Sequence, residues 1–144
     1  MHFFFYGTLL DGSDNPVAQD IHALLDPLGP AQVAGDLHAI PDAQGWFPAL
    51  VPGGGQVHGK VYRARAHFTP ADLARMDAYE DLDPGDPAGS LYVRQAMLLA
   101  GGGEAQTYVW NRPLPAGSQP IPGGSFRDWL TAQGFEQFRG LRDA

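Results

Sequence analysis

The stretch QVHGKVYRARAHFTPADLARMDAYE, residues 56–80, holds the change of period that decides the fold class. In its first half Val57, Gly59, Val61 and Arg63 alternate with His58, Lys60, Tyr62 and Ala64. A period of two predicts a strand over 56–66. In its second half Thr69 can cap a helix, Pro70 suits the first turn and Asp72 can close a capping box. The helix is expected to run to about Tyr79.

Outward from this stretch the same two periods recur. Residues 2–6, His-Phe-Phe-Phe-Tyr, read as a short strand buried on both faces and ended by Gly7. Pro16, Val17, Ile21, Leu24, Leu25 and Leu28 predict a helix over 16–26, ended by Pro27, Gly29 and Pro30. Val33, Gly35, Leu37 and Ala39 predict a strand from about 31. Trp46–Val51, interrupted by Pro48, reads as an edge or irregular strand. Pro52-Gly53-Gly54-Gly55 reads as a turn, so the runs on either side of it are expected to form a hairpin. Leu91–Ala100 and Ala105–Trp110 predict a second hairpin about Gly101-Gly102-Gly103. Ser125 and Asp128 open a helix to about Gln133, Gly134 breaks it, and 135–141 is expected to add a last helical turn. Trp46, Trp110 and Trp129 are expected in the core. These elements imply an α+β fold, a small, mixed but mainly antiparallel β-barrel with flanking helices.

A chain of 144 residues suits one domain, read here as 1–144. Such a domain buries about two-thirds of its unfolded surface. Gly and Pro number 19 and 13, which makes the chain rich in loops without making it disordered. Net charge is −7 and the sequence pI about 4.9, and the single Lys and eight Arg form no basic run. Phosphate backbones and anionic membranes repel such a surface, so neither nucleic acid nor membrane is an expected partner. No run of about 18 apolar residues is present to span a bilayer. There is no basic segment at the start and no Cys, so the cytoplasm is the expected compartment.

The five His show no metal-binding spacing, the four Ser lack a GxSxG elbow, and neither Gly triplet precedes Lys-Ser/Thr. No metal or nucleotide cofactor is expected. Two features carry chemistry. Tyr6-Gly7-Thr8-Leu9 follows a buried strand, where glycine allows close approach and successive N–H groups can hold an anion. Glu80, one of only three Glu, lies four residues after Met76 and seven after Leu73. That spacing puts it on the apolar face of the helix. If it turns inward, desolvation raises its pKa toward the range a general acid/base needs. If it lies at the frayed helix end, it is an ordinary solvated carboxylate. Tyr92 and Tyr108 read first as core aromatics.

The order and spacing of several pieces resemble the γ-glutamylcyclotransferase-like family, which includes γ-glutamylamine cyclotransferases (AIG2-like). The pieces are Phe5–Leu9, Phe47–Gly53, Val57–Tyr62, Leu73–Glu80, Tyr92–Arg94, Ala105–Trp110 and Ile121–Phe126. The resemblance implies the family's barrel-like fold. It implies that Tyr6, Gly7, Thr8 and Leu9 bind a γ-glutamyl group and that Glu80 is the catalytic acid/base. It implies a cyclotransferase that converts a γ-glutamyl amine or peptide to 5-oxoproline and free amine, without a cofactor. The chain departs from the family in having Asp81 after this Glu, where Gly is usual, and in its Pro-rich segment 111–122. A non-catalytic binder of the same fold and a γ-glutamyl amide hydrolase are the alternatives. The expected partner is a small γ-glutamyl molecule, and the chain is read as a monomer.

Overall fold

The computed structural model describes residues 1–7, 16–43, 45–80, 82 and 85–135. One six-stranded sheet organises them. Its strands are β1 (His2–Phe5), β2 (Leu25–Asp42), β3 (Gly45–Ala64), β4 (Tyr92–Leu98), β5 (Glu104–Trp110) and β6 (Gln119–Pro120). Three helices flank it: α1 (Pro16–His22), α2 (Pro70–Tyr79) and α3 (Phe126–Gln133). The sheet order is β4-β5-β1-β3-β2-β6, and the pairing of β1 with β5 is parallel while the others are antiparallel. The sheet curls back on itself. Val33 of β2 bridges Leu99, just beyond β4, and the Ala100 N–H donates to the Gln32 carbonyl at 2.9 Å. The expected mixed, mainly antiparallel barrel with helices around it is the fold found.

β1 lies between β3 and β5 and is buried on both faces, because alternate side chains enter opposite cores. Phe3 and Phe5 pack with Ile21, Tyr62 and Met76 beneath α1 and α2. Phe4 and Tyr6 pack with Leu50, Val57, Phe126 and Leu130 toward α3. The residues named in both groups are buried, and each such burial contributes about 1.5–3 kcal/mol.

The longest hairpin differs from the sequence expectation. It closes at Asp42 opposite Gly45, and Pro52–Gly55 lies inside β3. Pairing with β2 continues on both sides of that run, from Asp36↔Val51 to Ala34↔Gln56, so the extra residues bulge out opposite Gly35. Asp36 holds the bulge: its Oδ1 accepts the Gly55 N–H at 3.1 Å. A turn-like composition was absorbed as a bulge because long-range pairing on each side outweighed the local turn preference. Helix α1 also ends four residues earlier than its spacing predicted. Leu25 instead enters β2 and the core, while Leu28 is exposed at a second bulge between Pro27 and Gly29. Pro27 and Pro30 are tolerated because this stretch of β2 pairs with β3 alone. Pro48 is tolerated likewise, since β1 reaches only Lys60–Arg63 of β3.

The helix starts were legible. Thr69 Oγ1 accepts the Asp72 N–H at 3.2 Å and Asp72 returns a bond to the Thr69 N–H at 2.9 Å. Ser125 caps α3 by accepting from the Asp128 N–H, and Gly134 ends that helix with φ +69°. Most of the helical turn expected at 135–141 lies outside the described residues. Trp110 is core, but Trp46 and Trp129 are half-buried and pack against exposed Phe135 at the end of α3.

Gly59 lets β1 and β3 approach. A Cβ there would lie 2.1 Å from the Phe5 carbonyl oxygen, which is backbone and cannot swing away. Gly59→Ala is therefore expected to destabilise the fold by about 3 kcal/mol, a fall in Tm of roughly 10 °C. Gly54→Ala, at a position with nothing within 4 Å, is the control and should shift Tm little. Equal melting of the two variants in thermal denaturation would contradict this account of the β1–β3 contact.

Candidate active site

The site forms where α2 and β1 end beside β3, β4 and β5. α2 runs to Tyr79 and hands over to Glu80, whose N–H still donates to the Met76 carbonyl at 3.1 Å. The buried face of α2 therefore carries Glu80 inward, and the residue is 9% exposed. The end of β1 delivers Tyr6 and Gly7 to the same place. A pocket between them is lined by Phe4, Phe5, Tyr6, Gly7, Pro48, Glu80, Tyr92 and Tyr108. The space between its walls, mouth included, is about 290 Å³.

The structure thus brings Tyr6, Gly7 and Glu80 into one pocket, as the sequence led us to expect. Thr8 and Leu9, expected beside them, lie outside the described residues, as does Asp81. Gly7 has a structural reason of its own. A Cβ at Gly7 would lie 2.2 Å from Pro48 Cγ, so the close approach it permits is that of the Pro48 ring. Tyr92 and Tyr108 line the pocket as well as packing in the core.

Each tyrosine hydroxyl in the pocket has its proton committed within the protein. Tyr6 Oη donates to the Tyr108 carbonyl at 2.5 Å, and Tyr92 Oη donates to the Pro48 carbonyl at 2.5 Å. A carbonyl can only accept, so the direction of both bonds is unambiguous. Tyr108 Oη bonds Asp77 Oδ1 at 2.7 Å. Asp77 is itself buried and held by Arg94, whose Nε lies 2.9 Å from the same oxygen and whose Nη2 lies 3.4 Å from the other. Gln106 Oε1 accepts from Arg94 Nη1 at 2.9 Å. Burial pushes the hydroxyls of Tyr6 and Tyr108 well above the usual tyrosine range. The negative charge of Glu80 adds to the effect on both, and the bond to Asp77 adds further on Tyr108. These hydroxyls stay protonated at any physiological pH. Glu80 is the carboxyl among the residues that line the pocket.

Sequence reasoning passed over Asp77, Arg94 and Pro48. A signal existed for Asp77: it stands four residues after Leu73 and three before Glu80, so it shares their helix face. A carboxylate on an apolar face requires a partner. Arg94 gave no such signal, because its strand had to be registered against β5 and α2 before it could be matched to Asp77. Among the described residues, no group of three or more His, Asp or Glu side chains is placed to hold a metal ion. No helix among them is long and apolar enough to cross a membrane.

Comparison with known proteins agrees with the fold. The family described as "Gamma-glutamyl cyclotransferase, AIG2-like" matches residues 3–128. The γ-glutamylcyclotransferase family protein YtfP of Escherichia coli K12 is 34% identical over 134 residues, covering 90% of this chain and 96% of that protein. The solution structure of ytfP from Escherichia coli superposes with a TM-score of 0.59 at 29% identity, covering 90% of this chain and 98% of the other. An AIG2-like protein from Mus musculus superposes at 0.54 with 24% identity, over 81% of this chain and 79% of that one. A segment of Kluyveromyces lactis allophanate hydrolase, 21% of that chain, shares the fold at a TM-score of 0.70 and 15% identity over 92% of this chain. The chain belongs to the γ-glutamylcyclotransferase, AIG2-like family.

The tyrosine environment makes a testable statement about stability. Tyr6 and Tyr108 have folded pKa values above their unfolded value of 10.0, so the folded state retains protons that the unfolded state releases. Their contribution is fully present below pH 10 and is lost as pH rises beyond it. Each group should lower stability by about 1.4 kcal/mol per pH unit in that range. Urea denaturation between pH 9 and 11 checks this. The Tyr6→Phe/Tyr108→Phe double variant should show a flatter decline than the native sequence.

Proposed function

We propose that this protein is a γ-glutamyl cyclotransferase that converts a small γ-glutamyl amine or γ-glutamyl peptide to 5-oxoproline and free amine. Glu80 is the general acid/base in this reading. Tyr6 and Gly7, with Thr8 and Leu9, hold the γ-glutamyl group. The observation that supports it most is the meeting of Glu80, from the end of α2, with the end of β1 in one small pocket. Family membership points the same way.

The proposed reaction suits these residues. A γ-glutamyl amide contains its own nucleophile, the α-amino group, which closes a five-membered ring on the γ-carbonyl carbon. One C–N bond forms inside the ring, and the original amide C–N bond breaks. A proton must leave the attacking nitrogen, and a proton must reach the departing one. A single carboxyl placed between them can accept the first and deliver it to the second. The pocket's task is to fold a flexible substrate into the ring-closing conformer, and its small volume serves that task. Negative charge develops on the carbonyl oxygen during attack. The tyrosine protons are already committed, so backbone N–H groups of the 6–9 loop are the donors this reading assigns to that oxygen. The buried aromatic walls exclude water, which favours attack by the internal amine over hydrolysis.

Glu80→Gln keeps the size of the side chain and removes its ability to carry a proton. It should fold with Tm close to native and lose about 10²- to 10⁴-fold in kcat. The assay incubates purified protein with a panel of γ-glutamyl amines and γ-glutamyl dipeptides and detects product by mass spectrometry. Formation of 5-oxoproline that disappears in the variant is the expected outcome. Free glutamate in its place would identify a hydrolase. Binding without either product would identify a non-catalytic member of the fold, and undiminished turnover in Glu80→Gln would refute the role of that residue.

A further inference from the structure

The Asp77–Arg94 pair has no part in the proton transfers above, yet it is buried one helical turn from Glu80. Its side chains are 6% and 22% exposed, whereas the Arg is about half exposed or more in the ion pairs of Arg63, Arg65 and Arg75. A buried pair of this kind is weak evidence of stabilisation, since desolvation offsets much of the attraction. Its placement is more informative. Asp77 and Glu80 stand three residues apart on the buried face of α2, and the Tyr108 hydroxyl that faces the pocket wall is bonded to Asp77. The Tyr108 carbonyl in turn accepts from Tyr6. One carboxylate thus anchors the ring, and through its strand the second tyrosine, on the side of the pocket facing Glu80.

We propose that Asp77, paired with Arg94, is the positioning residue of this site: it fixes the tyrosine wall and balances the charge against which Glu80 ionises. The proposal rests on the reading of Glu80 as acid/base for its link to catalysis, but not for the electrostatic coupling. The ionisable groups around the pocket, among the described residues, are Tyr6 at the end of β1, Asp77 on α2, Tyr92 and Arg94 on β4, and Tyr108 on β5. Asp77 and Arg94 bear opposite charges, so their influences on Glu80, three residues along the helix from Asp77, oppose each other. Removing either one alone unbalances the site. Loss of the Asp77 charge leaves Arg94 to favour the Glu80 carboxylate. Loss of the Arg94 charge leaves Asp77 to oppose it. The two changes therefore act in opposite directions, which general loosening of the structure would not produce.

The chain has only three Glu, which makes the test direct. Carboxyl-labelled glutamate is incorporated, and the Glu80 signal is identified by its absence in Glu80→Gln. Its titration is then followed by carbon NMR. Asp77→Asn should move the Glu80 midpoint down, and Arg94→Met should move it up, each by about half a unit or more. Arg94→Lys, which keeps the charge, should leave it near native. Movement of both neutralising variants in one direction, or of neither beyond about 0.2 unit, would overturn the proposal. Should Asp77→Asn fail to fold, equal midpoints in Arg94→Lys and Arg94→Met would overturn it on their own. In the cyclisation assay the acid limb of kcat/KM should follow the same displacements. If the native protein releases no 5-oxoproline, the functional reading fails while the NMR titrations still decide the coupling.

Discussion

Everything near the pocket depends on the burial of β1 between β3 and β5. Its three phenylalanines, Phe3–Phe5, enter the cores on both faces of the sheet at once. Such a strand has no tolerance for a register slip, because a shift by one residue would exchange the two faces. The end of β1 is therefore delivered to one place, beside Pro48 of β3 and Tyr108 of β5. Gly59 and Gly7 are the local conditions of that placement, one admitting the β1 backbone and the other the Pro48 ring.

The second constraint is the end of α2. Thr69 and Asp72 define where the helix begins, and the buried positions Met76 and Asp77, with half-buried Leu73, define how it is rotated. Together they place Glu80 at the C-cap, turned toward the sheet. The carboxyl meets a wall of tyrosines whose hydroxyl protons are bound to carbonyls and to Asp77. The phenolic protons of such a wall are bound within the protein.

Local physics explains which elements could be read in advance. Capping residues act within one helical turn, so the starts of α2 and α3 were legible at Thr69 and Ser125. The β4–β5 hairpin was legible because its Gly triplet has no competing partner. The β2–β3 hairpin was misread at Pro52–Gly55 because a bulge and a turn share the same composition. Only the continuing ladder with β2, stabilised by Asp36, distinguishes them. The overlong reading of α1 has the same origin: Leu25 fits a helical period but is held by pairing with Ala64 of β3.

Amino-acid order alone determined the α+β class, the doubly buried first strand and the starts of α2 and α3; it put Glu80 on the apolar side of its helix without deciding whether the carboxyl turned inward. These follow from period, capping and burial, all of which act over a few neighbouring residues. It could not reveal that Tyr92 and Tyr108 are pocket walls as well as core, that Pro48 fills the space beside Gly7, or that Arg94 neutralises Asp77. Those relations join residues 17 to 102 positions apart in the chain. They exist only once sheet register and curl have set the distances, because hydrogen bonds and charge pairs of this strength act over a few ångströms of space and not along the chain.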